Sequence, residues 1–355
     1  MLQNEIQKHM NDTKEILTKK GIIKNVFDYQ GLDTELINIY QHFEKKFQEL
    51  CQSYADAFHL DNCVFYISNN NSCNAFAAKI ENHNIIAITN GYPVLIKDKF
   101  DDKFFSNSLF IAFINEKSIS EAYCDLHEDQ YFKFSEFVLN CSVKYTFSHE
   151  FRHILQFNSF DIFKDFLYAE NLDKNSFDMK KHAWEFDADR MASFEVIKYT
   201  FRIYRNLKNR DNEKLKCMFY IALASIVITK NLFYFGVIDQ ITQDYTINKQ
   251  DFYTKRFSHP HPLVRIHNMV EHSYNNIKHD FPELEIDFQQ LLNNVLGISR
   301  LYFNNLIPGQ NAMQNYFEDA SRFADDINEY NGELYDFAIK DKSIKRLLKK
   351  RGIKL

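Results

Sequence analysis

Residues 144–157 read KYTFSHEFRHILQF. His149 and His153 are four residues apart, which in a helix puts both on one face, about one turn from each other. Glu150 lies between them, rotated by about 100° from His149. Phe147, Phe151, Ile154 and Leu155 fall on the opposite side. One face can therefore bury itself while the other offers two imidazoles to a cleft. Two neutral imidazoles can share a zinc ion. A carboxylate beside them can take a proton from water and later pass it to a leaving amine. That is the chemistry of the H-E-x-x-H pattern. The pattern fixes only three positions, and two surface histidines on an amphipathic helix satisfy it equally well.

A zinc site of this kind needs a third protein ligand. No G-x-x-H continuation supplies a third histidine after His153. The next cluster is AWEFDADRMA at 183–192. If it is helical, Glu185 and Asp189 share a face. Glu185 could reach the metal, and Asp189 could accept a hydrogen bond from a ligand imidazole and fix its tautomer. Between His153 and Glu185 there is room for a second helix to return antiparallel to the first. Glu170 is the reserve third ligand, and His182 is a candidate to support one.

HEFRH together with Glu185-Phe186-Asp187-Ala188-Asp189-Arg190-Met191-Ala192 resembles the Glu-zincin (gluzincin) peptidases, which include the heat-shock membrane proteases and the prenyl-protein-processing proteases. Asn74-Ala75-Phe76-Ala77 is similar to that family's edge strand ahead of the active-site helix, and Ser258-His259-Pro260 with Arg265-Ile266 to its later His-Pro and Arg element. The resemblance spans about residues 74 to 266. It implies Zn(2+) held by His149, His153 and Glu185, with Glu150 as the base and Asp189 behind the ligands. It also implies that His259 steadies the tetrahedral oxyanion and that Arg265 organises the nearby carboxylates. Apart from the resemblance, His261 could assist His259, although Pro-flanked histidines in loops are commonly structural. Many such peptidases carry clear membrane spans. This chain also resembles the soluble or peripheral relatives, among them the Lit-type phage-exclusion peptidases of bacteria, which cleave an intracellular host protein.

Outward from this centre, residues 61–115 give strand and turn signals. CVFYI (63–67), NAFAAKI (74–80), NIIAIT (84–89) and PVLI (93–96) are short apolar runs, and Asn90-Gly91 ends the third. SLFIAFIN (108–115) is too short for periodicity to decide between strand and helix. Residues 1–60 read as helical, with Leu36, Ile37, Tyr40, Phe43 and Phe47 marking one face. Residues 131–255 and 270–355 also read as mostly helical. KCMFYIALASIVIT (216–229) is the most apolar stretch, but Lys230 and Asn231 interrupt it before LFYFGVI. A membrane span needs about 20 apolar residues, so a buried helix is the better expectation. The end of the chain, KDKSIKRLLKKRGIKL (340–355), is basic and follows an acidic segment.

The 355 residues are 45% hydrophobic and 26% charged, which is enough apolar material for a large core and excludes long-range disorder as the main state. A net charge of −5 argues against a general nucleic-acid binder. No nucleotide-binding glycine motif occurs. The six cysteines form no Cys-x-x-Cys pair, as expected for free thiols in a reducing compartment, and the first twenty residues contain no secretory apolar run. The expectation is an α+β, zincin-like core with helical additions: a lead-in over 1–60, a catalytic domain over 61–270 and a helical extension with a basic tail over 271–355. The expected activity is hydrolysis of a cytoplasmic polypeptide, with no sequence-specific nucleic acid as partner. The 218–238 run and the basic tail leave peripheral membrane contact open. The alternative is a metal-stabilised scaffold or binding protein without turnover.

Overall fold

The computed structural model describes residues 14–60, 63–99, 104, 109, 113, 116–159, 166–169, 177–235, 237–238, 245–246, 251–306, 312–342 and 344–346. After a short helical stretch over 14–19, the first long helix is α1 (Thr34–Phe58), which Asp33 caps by accepting from Leu36 N at 3.0 Å. Its buried stripe is Ile39, Tyr40, Phe43, Phe47, Cys51 and Ala55, together with Gln48. Leu36 and Ile37, expected on this stripe, are only partly buried at its start. Strands β1 (Cys63–Ser68), β2 (Ala75–Ile80) and β3 (His83–Thr89) follow. The expected strand at 93–96 is instead part of helix α2 (Gly91–Lys99). Tyr92, Leu95 and Ile96 are fully buried, a spacing of three and four that fits one helix face. Pro93 is tolerated because it falls in the first turn, where its missing N–H breaks no helix bond. Gly91 is required where β3 turns into α2, since a Cβ there would collide with the carbonyl oxygens of Asn71 and Ser72.

Next come helices α3 (Lys117–Glu128) and α4 (Phe134–Asn158), strand β4 (Phe166–Ala169), and helices α5 (Met179–Tyr204) and α6 (Asn212–Phe235). Two short strands, β5 (Val237–Ile238) and β6 (Tyr245–Thr246), pair with each other. Helices α7 (Pro262–Asp280), α8 (Phe288–Leu306), α9 (Ala312–Arg322) and α10 (Ala324–Ala338) complete the described elements. The main sheet is mixed, with strand order β1-β3-β2-β4. β1 runs parallel to β3, while β2 is antiparallel to both β3 and β4. The 74–77 segment was expected at a sheet edge. It lies inside the sheet instead, because residues 166–169 pair with its outer side, Phe76 opposite Ala169 and Lys79 opposite Phe166.

The fold is mostly helical with a small mixed sheet, an α+β arrangement consistent with a generic zincin-like architecture. One apolar core extends from Tyr29 to Ile344. The sheet rests on α4 through β2 and β3. Lys79 donates to Asn158 at 2.9 Å, and Asn158 donates to Asn84 at 2.7 Å, fixing the end of α4 to β2 and β3. α4 packs most extensively on α5, and α5 is in turn held by α6, α7 and α10. α6 contains the 216–229 run and is long and apolar enough to cross a membrane, yet 94% of its most apolar window is buried by the rest of the protein. Lys230, within that helix, is fully buried. None of the six cysteines is in a disulfide.

Candidate metal centre

α4 is enclosed on all sides from Tyr145 to Phe157, not amphipathic. Phe147 and Phe151 pack on Tyr54 of α1, with ring centroids 5.1 Å apart in each case. His149 and His153 face α5. A face offered to a cleft was expected, but His149, Glu150 and His153 are each 1% exposed and Glu185 is 0% exposed.

Glu185 is brought to the two histidines by α5, whose N-terminus is capped by Asp178 accepting from Lys180 N at 2.8 Å. Ligand atoms of His149, His153 and Glu185 all lie within 4.8 Å of one another. His153 Nε2 is 3.1 Å from His149 Nε2 and 3.1 Å from Glu185 Oε1, and His149 Nε2 is 3.4 Å from Glu185 Oε2. A tetrahedral ion with bonds of about 2.0–2.1 Å places its ligands about 3.3 Å apart, so the donor set has the spacing of a zinc site.

The proton positions agree with this. His153 Nδ1 is 2.8 Å from Gln156 Oε1. Gln156 spends its amide protons on the Trp184 carbonyl at 3.1 Å and on Asp187 Oδ2 at 2.9 Å, so its oxygen accepts and His153 carries the proton on Nδ1. His149 Nδ1 is 3.1 Å from Asp189 Oδ1, an acceptor-only group when ionised. Both Nε2 atoms are then lone-pair donors facing each other. Two lone pairs at 3.1 Å repel unless a cation or a proton sits between them. Burial pushes the His149 pKa down, but Glu185 and Asp189 outweigh it and raise it to about 9. The field at this point favours positive charge. The residues therefore fit a divalent metal ion, with His149, His153 and Glu185 as its ligands.

Arg265, at the start of α7, secures the carboxylates. Its Nη2 is 2.5 Å from Glu185 Oε2, while Nε and Nη2 donate to Asp189 Oδ2 and Oδ1 at 2.6 and 2.8 Å. Tyr145 donates to Asp189 Oδ1 at 2.8 Å. Burial opposes ionisation of Glu185 and Asp189, yet Arg265 is the leading cause that holds both pKa values well below the usual carboxylate range. Lys230 adds to this at Asp189, which is what the interruption in the apolar run of α6 provides.

His259 lies 3.5 Å through Nε2 from Glu185 Oε1, but is not one of the three clustered ligands. Ser258 Oγ is 2.9 Å from His259 Nδ1, and Tyr253 donates to the His259 carbonyl at 3.2 Å. His261 caps α7, accepting from Leu263 N at 3.2 Å. His182 touches no ligand. Its Nε2 is 2.6 Å from the Phe257 carbonyl and its Nδ1 is 2.7 Å from Tyr330 Oη. Burial lowers its pKa to about 4, so it is neutral and ties the His259 loop to α5 and α10. Glu170 lies outside the described residues.

Sequence reasoning passed over Arg152, Gln156 and Asp187. Arg152 donates to Asp187 through Nε and Nη2 at 2.6 and 2.8 Å, and Asp187 fixes Gln156, which orients His153. Asp187 stood inside the quoted acidic cluster, and Gln156 is three residues past His153, one helix turn away. Those spacings were the available signal. Gln156→Leu removes the acceptor for His153 Nδ1 and is expected to weaken metal affinity by about 10–100-fold while keeping the fold. Competition with a chromophoric chelator, beside circular dichroism, measures this; unchanged affinity would show that Gln156 does not orient the ligand. No family model, curated protein or solved structure matches the chain.

Proposed function

We propose that this protein is a zinc-dependent endopeptidase of the gluzincin type, acting on an intracellular polypeptide. The observation that carries this reading is the buried convergence of His149, His153 and Glu185, each ligand atom within 4.8 Å of the others. When bound there, zinc supplies a Lewis acid that polarises the scissile carbonyl and makes water more acidic. Glu150, within one turn of both histidines on α4, takes the proton from the attacking water and returns it to the leaving amine. Asp189 and Gln156 keep the two imidazoles turned with Nε2 forward. Arg265 holds Glu185 and Asp189 ionised. His259 would donate to the oxyanion as its charge develops, a role supported by its lying 3.5 Å from Glu185. Extension of the sheet by a substrate strand cannot occur at β2, whose outer side is taken by β4.

The enclosure of all four central side chains favours a second reading, a metal-stabilised binding protein without turnover. Both readings need the metal. Purified wild type is expected to hold about one zinc ion per chain, and His149→Ala or His153→Ala to lose most of it. Glu185→Gln should weaken binding more than Asp189→Asn, since one removes a ligand and the other only a hydrogen bond to a ligand. Elemental analysis decides this. Wild type without tightly bound zinc sinks the assignment.

A further inference from the structure

On the side of α4 facing α1 lies a groove of about 410 Å³, between α1, α4 and α5. That is within the usual range of small-molecule sites, about 300–1,000 Å³. It shares no residue with the metal centre. Tyr54, Phe58 and Tyr199 give it aromatic walls, and Lys144, Lys198 and Arg202 give it three cations against one acid, Glu195.

Glu195 is already committed. Its Oε2 accepts from Tyr54 at 3.0 Å and its Oε1 from Lys198 at 2.9 Å. Among the described residues no carboxylate lies within ion-pair distance of Lys144 or Arg202. Lys144 Nζ sits 4.7 Å from the centre of the Tyr54 ring, and the Arg202 guanidinium 5.3 Å from that of Tyr199. Burial lowers the Lys144 pKa to about 8; Glu195 pulls it back, and Arg202 and Lys198 push it further down. Two cations outside ion-pair distance of the described carboxylates, each beside an aromatic ring, have the charge and setting that suit a dianion.

We propose that this groove binds a phosphate monoester carried on an aromatic or flat apolar ring. The phosphate would take two charges' worth of contact from Lys144 and Arg202, which suits a dianion better than a carboxylate. The ring would stack among Tyr54, Phe58 and Tyr199. The site is independent of the metal centre, so it stands or falls apart from the peptidase reading.

The test is calorimetry on the full chain with phenyl phosphate, inorganic phosphate and benzoate. Phenyl phosphate is expected to bind at least about tenfold more tightly than either comparator, because only it offers both charge and ring. Lys144→Met and Arg202→Gln should each lower its affinity by about tenfold or more, while Lys208→Gln, outside the groove, should leave it unchanged. Arg202 is exposed, so its variant should fold even if the Lys144 variant does not. Equal affinity for the three anions, no binding of phenyl phosphate, or binding indifferent to Arg202→Gln would each overturn the proposal.

Discussion

Glu150→Gln is expected to give folded protein that retains zinc and cleaves almost nothing. Glu150 is not one of the three clustered ligands, so its loss should not release the ion. Gln has nearly the same volume and still hydrogen-bonds, which suits a residue only 1% exposed in the middle of α4. Its amide, however, is a very poor base. Removing a positioned base typically costs about 10²–10⁴-fold in rate, and the loss here should lie at the upper end because no second carboxylate occupies the same turn of α4. The measurement is twofold. Elemental analysis compares zinc in the two proteins. Mass spectrometry of newly created protein N-termini compares cells expressing wild type with cells expressing the variant. Termini that depend on wild type and vanish with Glu150→Gln identify both the activity and its target. If both proteins hold zinc, yield the same termini and have the same cellular effect, the peptidase reading fails and the metal-stabilised scaffold takes its place.

The metal cluster was legible in the sequence because it depends on helix periodicity, which a sequence displays. His149 and His153 at i and i+4, and Glu185 and Asp189 at i and i+4, need only that both segments be helical, and they are. Strands at 63–68, 75–80 and 83–89 were legible by a different local signal, as short apolar runs ended by turn residues. What the sequence hid depends on tertiary partners. PVLI reads as a strand until Tyr92 is included, when the spacing becomes that of a helix face. The position of β2 within the sheet depends on β4, a four-residue strand with no alternation to announce it. The face of α4 opposite the histidines was expected to be its only buried one, but α5 covers the histidine side as well, so the polar residues there must satisfy one another. Arg152, Gln156 and Asp187 do so, and Lys230 is understood only once α6 is seen to lie close enough for its charge to act on Asp189.

The second large effect is expected at Arg265. Arg265→Met should destabilise the metal-free protein by about 3–5 kcal/mol, the usual cost of removing one member of a buried ion pair and leaving the other. Here a single guanidinium pairs with two carboxylates, Glu185 and Asp189, both 0% exposed, so its loss leaves them only the weaker support of Lys230 and the neighbouring histidines. Zinc would neutralise Glu185 directly, and the zinc-loaded variant should therefore lose less than the metal-free one. Arg265→Lys should recover only part of the loss, because one ammonium cannot reproduce the planar fork that reaches Glu185 Oε2 and both oxygens of Asp189. The pH dependence has a definite sign. Arg265 lowers the folded-state pKa of both carboxyls, so the stability it confers is fully present above their unfolded values and is lost as pH falls towards the folded ones. The gap between wild type and Arg265→Met should be full at neutral pH and narrow below about pH 4. Urea unfolding at neutral and acid pH, with zinc and with chelator, measures all of this. A metal-free Arg265→Met protein that unfolds at the wild-type midpoint would mean that another group neutralises Glu185 and Asp189, and the electrostatic support of the metal centre would have to be reassigned.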